Sequence, residues 1–327
     1  MKIVHCPTEI AGQMGTLCNE LRKKGYDAAG FNWFHSYINY DHSHVVNTDL
    51  FELKNVVSDI VANADVLHFH NGNTFLTGNY DLPSLAETGK KLIMQHWGSD
   101  VRTAGNVKKY NPYPLPIGYY SDEKIHEHLA FNSKYIKTAI VQDGEMINHV
   151  ADFYEKVYIM PLACNLDKFS PRYPGENKVP VIIHAPTNRE FKGSEHVEAA
   201  IDKIKGKVPF DYQMVEKKSH KEALAMYSGS DIIIDQIMCG SYGMLSVEGM
   251  AMGKVVVAFV RDDVKEKFPS ELPIVIANPD NLDQVLMDLL KDRSRMTEIG
   301  KASRKYAEKY HASSVVADYL LEIYKSL

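Results

Sequence analysis

Hydrophobic positions along the chain fall in short runs of strand length, and each run ends in a polar or glycine-bearing loop. KIVHC, near the start, leads through a glycine-containing loop into TLCNELRKKGYDA, where Gly25 is placed to end a helix. ADVLHFHNG, KLIMQHWGSD, TAIVQDG and KVYIMPLACN repeat the same strand-and-loop ending. Strands alternating with helical stretches over about 160 residues predict a parallel sheet covered on both faces, with ligands gathered at the carboxyl ends of its strands.

DKFSPRYPGENKVP, around 166 to 180, is rich in proline and charge and poor in apolar periodicity, which predicts a linker. The alternation then begins again. VPVIIHAPTNREFKG reads as strand and polar loop, SEHVEAAIDKIKG as helix, and FDYQMVEKKSH as strand and loop. KEALAMYSGS and DIIIDQI follow as helix and strand, and PIVIANP is one more strand before a helical carboxyl-terminal stretch. The pattern predicts an α/β protein with two Rossmann-like halves in series.

CGSYGMLSVEGMAMGKVVVAFV, residues 239 to 260, is small and apolar but for one carboxylate, Glu248, and one lysine ahead of its closing strand. Gly240 and Gly243 loosen the backbone before a short helix, Gly253 suits the left-handed position that ends one, and KVVVAFV has buried-strand character. Met244, Val247 and Ala251 form a stripe that packs on a sheet, with Glu248 beside it in the second turn. A carboxylate there is either solvated at the surface or reserved for a ligand.

Composition narrows the field. With 327 residues, 45% of them hydrophobic and 24% charged, the chain suits two domains of ordinary size. A net charge of -5 argues against nucleic acid as a partner, although Lys108 and Lys109 form a local basic spot. No stretch approaches the apolar length a membrane span needs, and the start MKIVHCPTEIAG carries no export signal, so a cytoplasmic protein is expected. Cys6, Cys18, Cys164 and Cys239 are scattered, which predicts reduced thiols and no structural metal.

Other chemistries are weakly signalled. His68 and His70 lie on one side of a strand, yet no third ligand with suitable spacing accompanies them; loop packing and cleft lining are the competing readings. AGQMG, after the first strand, lacks the G-x-G-x-x-G spacing of a dinucleotide site, and no G-x-x-x-x-G-K-[ST] loop is present.

Two Rossmann-like halves, HWGSDVR in the first, and HAPTNREFKG and YGMLSVEGMAMGKVVVA in the second together resemble the GT-B glycosyltransferases, most closely the retaining family 4 (group 1) kind. The resemblance covers nearly the whole chain. It implies an acceptor domain of residues 1–168, completed by a C-terminal helix at about 308–327, and a nucleotide-sugar domain of residues 169–307, facing a central cleft. It also implies a metal-independent retaining transferase that needs no cofactor and uses a UDP- or GDP-linked sugar as donor. The acceptor is open, lipid-linked or polysaccharide, with a role in cell-surface polysaccharide or glycoconjugate synthesis in the cytoplasm or at the inner face of a membrane. An epimerase of nucleotide-sugars or a non-catalytic partner subunit on this fold are the alternatives.

Carried over by residue, the resemblance implies that Glu248 holds the ribose hydroxyls and that the N–H groups of Gly243, Met244 and Leu245 face the diphosphate. Arg189 and Lys192 match the basic pair that neutralises the leaving group, the alternative being solvated loop cations. Gly12 matches the glycine loop of the first half, or is a turn glycine. His96 matches the active-site histidine near the transferred sugar, or caps its own loop, and Asp100 is its neighbour for acceptor contact. Glu216 stands where the nucleobase loop lies. The family's first Glu, eight positions before Glu248, is replaced by Gly240, which leaves Ser241, Tyr242 or the Asp235–Gln236 pair for the sugar. KKYNPYPLP is either an acceptor contact or a solvated loop.

Overall fold

The structure is a computed structural model that describes residues 1–34, 40, 43–116, 118 and 120–327. The chain divides into two compact units. Met1–Lys109, Ile117–Ala163 and Ser313–Leu327 make the first, and Tyr110–Pro116 and Cys164–Ala312 the second.

In the first unit the described strands are β1 (Lys2–Cys6), β2 (Asp27–Asn32), β3 (Val45–Asn47), β4 (Val66–His70), β5 (Lys91–Gln95), β6 (Thr138–Val141) and β7 (Lys156–Ile159). They form one sheet in the order β3-β2-β1-β4-β5-β6-β7, parallel throughout. Period-two alternation splits its apolar residues between two faces. Ile3, Val66, Ile93 and Ile140 pack with Leu17 and Leu21 of the helix Gln13–Lys23 and with Leu320 and Tyr324 of the helix Ser313–Ser326. Leu67, Phe69, Met94 and Val141 meet Leu53, Leu82 and Ile125 on the other face.

The second unit holds β8 (Val181–His184), β9 (Asp211–Met214), β10 (Ile232–Ile234), β11 (Val255–Ala258) and β12 (Val275–Ile276), parallel in the order β12-β11-β10-β8-β9. Ile232, Ile233 and Ile234 are fully buried, as the central position of β10 requires.

The KKYNPYPLP segment, expected to be an acceptor contact or a solvated loop, is exposed at Lys108, Lys109, Tyr110, Pro112 and Pro114 and anchored at Asn111 and Leu115, which are buried. Tyr110–Pro116 belongs to the second unit, where Asn111 Nδ2 donates to the Met238 carbonyl at 2.8 Å. The Tyr113 hydroxyl donates to Asp280 at 2.6 Å and its ring meets Phe259 edge-on, two contacts that hold a partly exposed side chain. No helix among the described residues is long and apolar enough to cross a membrane.

Candidate active site

In the second unit the apolar run of β10 gives way to Asp235 and Gln236, and the chain loops to the helix Met244–Ala251. Gly240 lies in that loop at φ +89, and a Cβ on it would stand 2.7 Å from Arg261 Cγ. Left-handed backbone and the nearness of Arg261 together disfavour a glutamate here. Arg261 in turn is held bidentate by Asp263.

Glu248 is 4% exposed, so it is not a solvated surface carboxylate. A buried carboxylate needs a partner, and His220 Nε2 lies 2.6 Å from its Oε1. His220 opens the helix His220–Gly229, whose start is fixed by a reciprocal capping box between Ser219 and Glu222.

Lys192 closes the short helix Arg189–Lys192, which Asn188 caps by accepting from Phe191 N, and which Gly193 ends in the left-handed conformation. The Lys192 ammonium, with 13% of its side chain exposed, donates to Asp235 Oδ1 at 2.6 Å and to Gln236 Oε1 at 2.8 Å. Asp235 is fully buried; its other oxygen accepts from Gly243 N at 2.9 Å and Ser246 Oγ at 2.7 Å. Burial pushes the Asp235 carboxyl up, but the Lys192 charge and these donors outweigh it and hold it below the usual range.

This arrangement alters two expectations. The Gly243 N–H, expected to face a diphosphate, donates to Asp235, because a carboxylate within the chain already occupies that point of the helix start. Asp235 and Gln236, considered for the sugar, instead hold Lys192. Met244 and Leu245 begin the same helix.

Arg189 and Lys192 do not act on one point. Arg189 is exposed and reaches Glu198 at 2.7 Å and Glu216 at 3.3 Å, which ties the exposed Glu216 to it as well. Ser241 is buried and its carbonyl accepts from Gln236 Nε2 at 2.6 Å. The Tyr242 hydroxyl lies 3.1 Å from His311 Nε2 and its ring packs on Phe268, inside the second unit.

The residues expected to serve from the first unit form their own network. His96 is 1% exposed, with Nδ1 2.6 Å from Asp100 Oδ2 and Nε2 2.9 Å from the Tyr154 hydroxyl. Asp100 Oδ1 also accepts from the backbone of Trp97 and Gly98, so both side chains brace the HWGSD loop. Gly12 has φ +73, and a Cβ there would stand 3.0 Å from the Tyr40 ring.

No family model and no curated protein matches the chain. Solved structures do. HepE from Anabaena, in complex with UDP, superposes with a TM-score of 0.69 at 12% identity over 100% of both chains. Sucrose-phosphate synthase from Thermosynechococcus elongatus gives 0.68 at 12% identity, over 100% of this chain and 99% of that one. A glycosyltransferase from Rickettsia africae gives 0.67 at 15% identity, over 99% and 97%. The fold is GT-B.

Within this GT-B chain the sequence pattern hid one cluster. His5 on β1 pairs in register with His68 on β4, and so joins His68 and His70 on the sheet face under Tyr324. The three rings are fully buried and their ligand atoms lie within 4.8 Å of one another, which supplies the third histidine that sequence spacing concealed. Their hydrogen bonds run in one direction. Trp97 Nε1 only donates, so His70 Nδ1, 3.3 Å away, accepts, and His70 Nε2 carries the proton given to His5 Nδ1 at 3.0 Å. His5 Nε2 then donates to Tyr324 Oη at 3.3 Å, and the tyrosine donates to His68 Nδ1 at 2.7 Å. His68 Nε2 and Gln95 Oε1 are the donor and acceptor left over on this face. Burial drives the His5 pKa down to about 3 and lowers His68 and His70 strongly. The lone pairs of His5 and His70 are engaged by hydrogen bonds and that of His68 by the tyrosine, an arrangement suited to a neutral polar core rather than to a cation.

Proposed function

We propose that the protein is a metal-independent, retaining glycosyltransferase of the family 4 kind, which moves a sugar from a UDP-linked donor to an acceptor hydroxyl. The observation that carries this reading is Glu248, buried in the second turn of the helix Met244–Ala251, at whose start Asp235 holds the Lys192 ammonium. A carboxylate so placed accepts two ribose hydroxyls in charge-assisted hydrogen bonds. Neighbours with this fold add support: HepE was solved with UDP and with UDP-glucose, and an alpha-glucosyltransferase with UDP.

In this reading the second unit holds the donor and the first contributes the acceptor side. As the bond from C1 to the diphosphate breaks, negative charge grows on the leaving oxygens, and Lys192 stabilises it. The acceptor oxygen bonds to C1 on the same face, and its proton passes to a diphosphate oxygen, so the anomeric configuration is kept. His96 and Asp100 serve by fixing the HWGSD loop. Synthesis of a cell-surface polysaccharide or glycoconjugate from a cytoplasmic donor fits this chemistry.

One observation favours a second reading, a nucleotide-binding partner without turnover: Gly240 and Arg261 stand where the family has a sugar-contacting glutamate. A product assay separates the two. UDP-sugars offered with an acceptor panel should yield UDP and a product whose anomeric configuration, read by NMR, matches the donor. UDP binding without release of sugar would favour the partner reading.

A further inference from the structure

We infer that Asp235 is a positioning residue for transfer, which aims the Lys192 ammonium at the leaving diphosphate; this deepens the donor-site reading above and rests on it. Asp235 sits at the end of β10, fully buried, and its two oxygens do different things. Oδ1 takes the Lys192 ammonium at 2.6 Å, and Oδ2 takes Gly243 N and Ser246 Oγ at the helix start. One carboxylate therefore ties the cation to the first turn of the helix that bears Glu248. Gln236, itself oriented by the Ser241 carbonyl, is the second acceptor of the ammonium. An ammonium has three N–H groups; Asp235 and Gln236 take two and leave one, on a side chain 13% exposed, for a phosphate oxygen.

The arrangement has a consequence that a purely structural carboxylate lacks. A lysine has four flexible carbons and loses much side-chain freedom when it is fixed, so an untethered Lys192 would meet a phosphate in many poses. Tethered, it keeps its place as charge builds on the leaving oxygens, which is when its interaction counts for rate. The carboxylate also offsets part of the cation's attraction for a diphosphate. Removing the carboxylate charge should therefore slow transfer without weakening nucleotide binding.

The test is a double-mutant cycle of D235N and K192A, read as turnover of a UDP-sugar and as UDP affinity by calorimetry. D235N should lower kcat by about 10- to 100-fold, leave UDP affinity equal to the wild type within about 3-fold or tighter, and add no further loss in the K192A background. Ser246→Ala, which loosens only the helix-start arm, should lower kcat less than D235N does, and a loss equal to that of D235N would count against the aim on Lys192. Should D235N not fold, Gln236→Leu removes the other acceptor of Lys192, with about 3- to 10-fold lower kcat expected and again no effect beside K192A. Losses of turnover and UDP affinity in equal proportion, additive with K192A, would overturn the assignment and leave Asp235 a helix-start brace. A wild-type protein that binds no UDP would overturn the donor-site reading itself, and this inference with it.

Discussion

His220 Nε2 stands 2.6 Å from Glu248 Oε1, so one oxygen of the buried carboxylate is in a hydrogen bond within the chain. The imidazole comes from a helix whose first turn is locked by its own capping box, and it fixes the direction in which Glu248 points. His220→Ala should weaken UDP binding by about 3- to 10-fold through loss of that aim, and H220A should add nothing beside E248A. Calorimetric titration of the single and double variants checks this, and an additive double variant would contradict it.

Lys192 and Asp235 are coupled in stability as well as in chemistry. Lys192→Ala leaves Asp235 buried without its cation and should destabilise the fold by about 1–3 kcal/mol, less than a wholly orphaned charge costs because Gly243 N and Ser246 Oγ still donate to it. K192A combined with D235N should recover most of that loss while remaining slow. Denaturant melts of the four forms decide it. A double variant less stable than K192A alone would show that the pair does not carry the cost.

Much of this architecture is legible in the sequence, for physical reasons. The runs ending in HNG, HWGSD and DQI are strands, because β-branched and apolar residues need a two-sided core and polar residues take the strand ends. Glu248 announces itself as one carboxylate in an apolar helix. The rest depends on contacts between distant residues. His5 joins His68 only through the β1–β4 register, and His220 reaches Glu248 from 28 positions away. Asp235 looks like a strand-end acid until the loop after it folds back and presents Gly243 N. Tyr113 looks fully solvated until Asp280 and Phe259 are beside it.

Two buried carboxylates give stability opposite dependences on pH. Burial raises the Glu9 carboxyl from 4.5 to about 7, although Met14 N and Gly15 N donate to it. The folded state holds that proton more tightly than the unfolded chain, so its contribution is full below pH 4.5 and is lost as pH rises through 7. Glu145 is the reverse: burial raises it, the Arg102 guanidinium outweighs burial, and its carboxyl lies at about 2. Its contribution is present above pH 4.5 and lost as pH falls through 2. Glu9→Gln should flatten the decline between pH 4.5 and 7 by up to about 3 kcal/mol. An unchanged slope in that variant would remove Glu9 as its source.

The histidine chain predicts one tautomer throughout. Nitrogen-15 NMR should find His5, His68 and His70 in the Nε2–H form and neutral at pH 5, as burial dictates. Tyr324→Phe breaks the links to His5 and His68 and should cost about 1–3 kcal/mol. Zinc or EDTA should leave the melting temperature of the wild type unchanged. Stabilisation by stoichiometric zinc, abolished by His68→Ala, would mean that the cluster is a metal site.

The most direct test of the donor site is calorimetric titration of the protein with UDP, with and without EDTA, in the wild type and in Glu248→Ala. Binding should be unaltered by EDTA and weakened about 10- to 100-fold by Glu248→Ala, the loss of charge-assisted hydrogen bonds to the ribose. Equal UDP affinity in both forms, or no binding by the wild type at millimolar nucleotide, would contradict a donor site at Glu248.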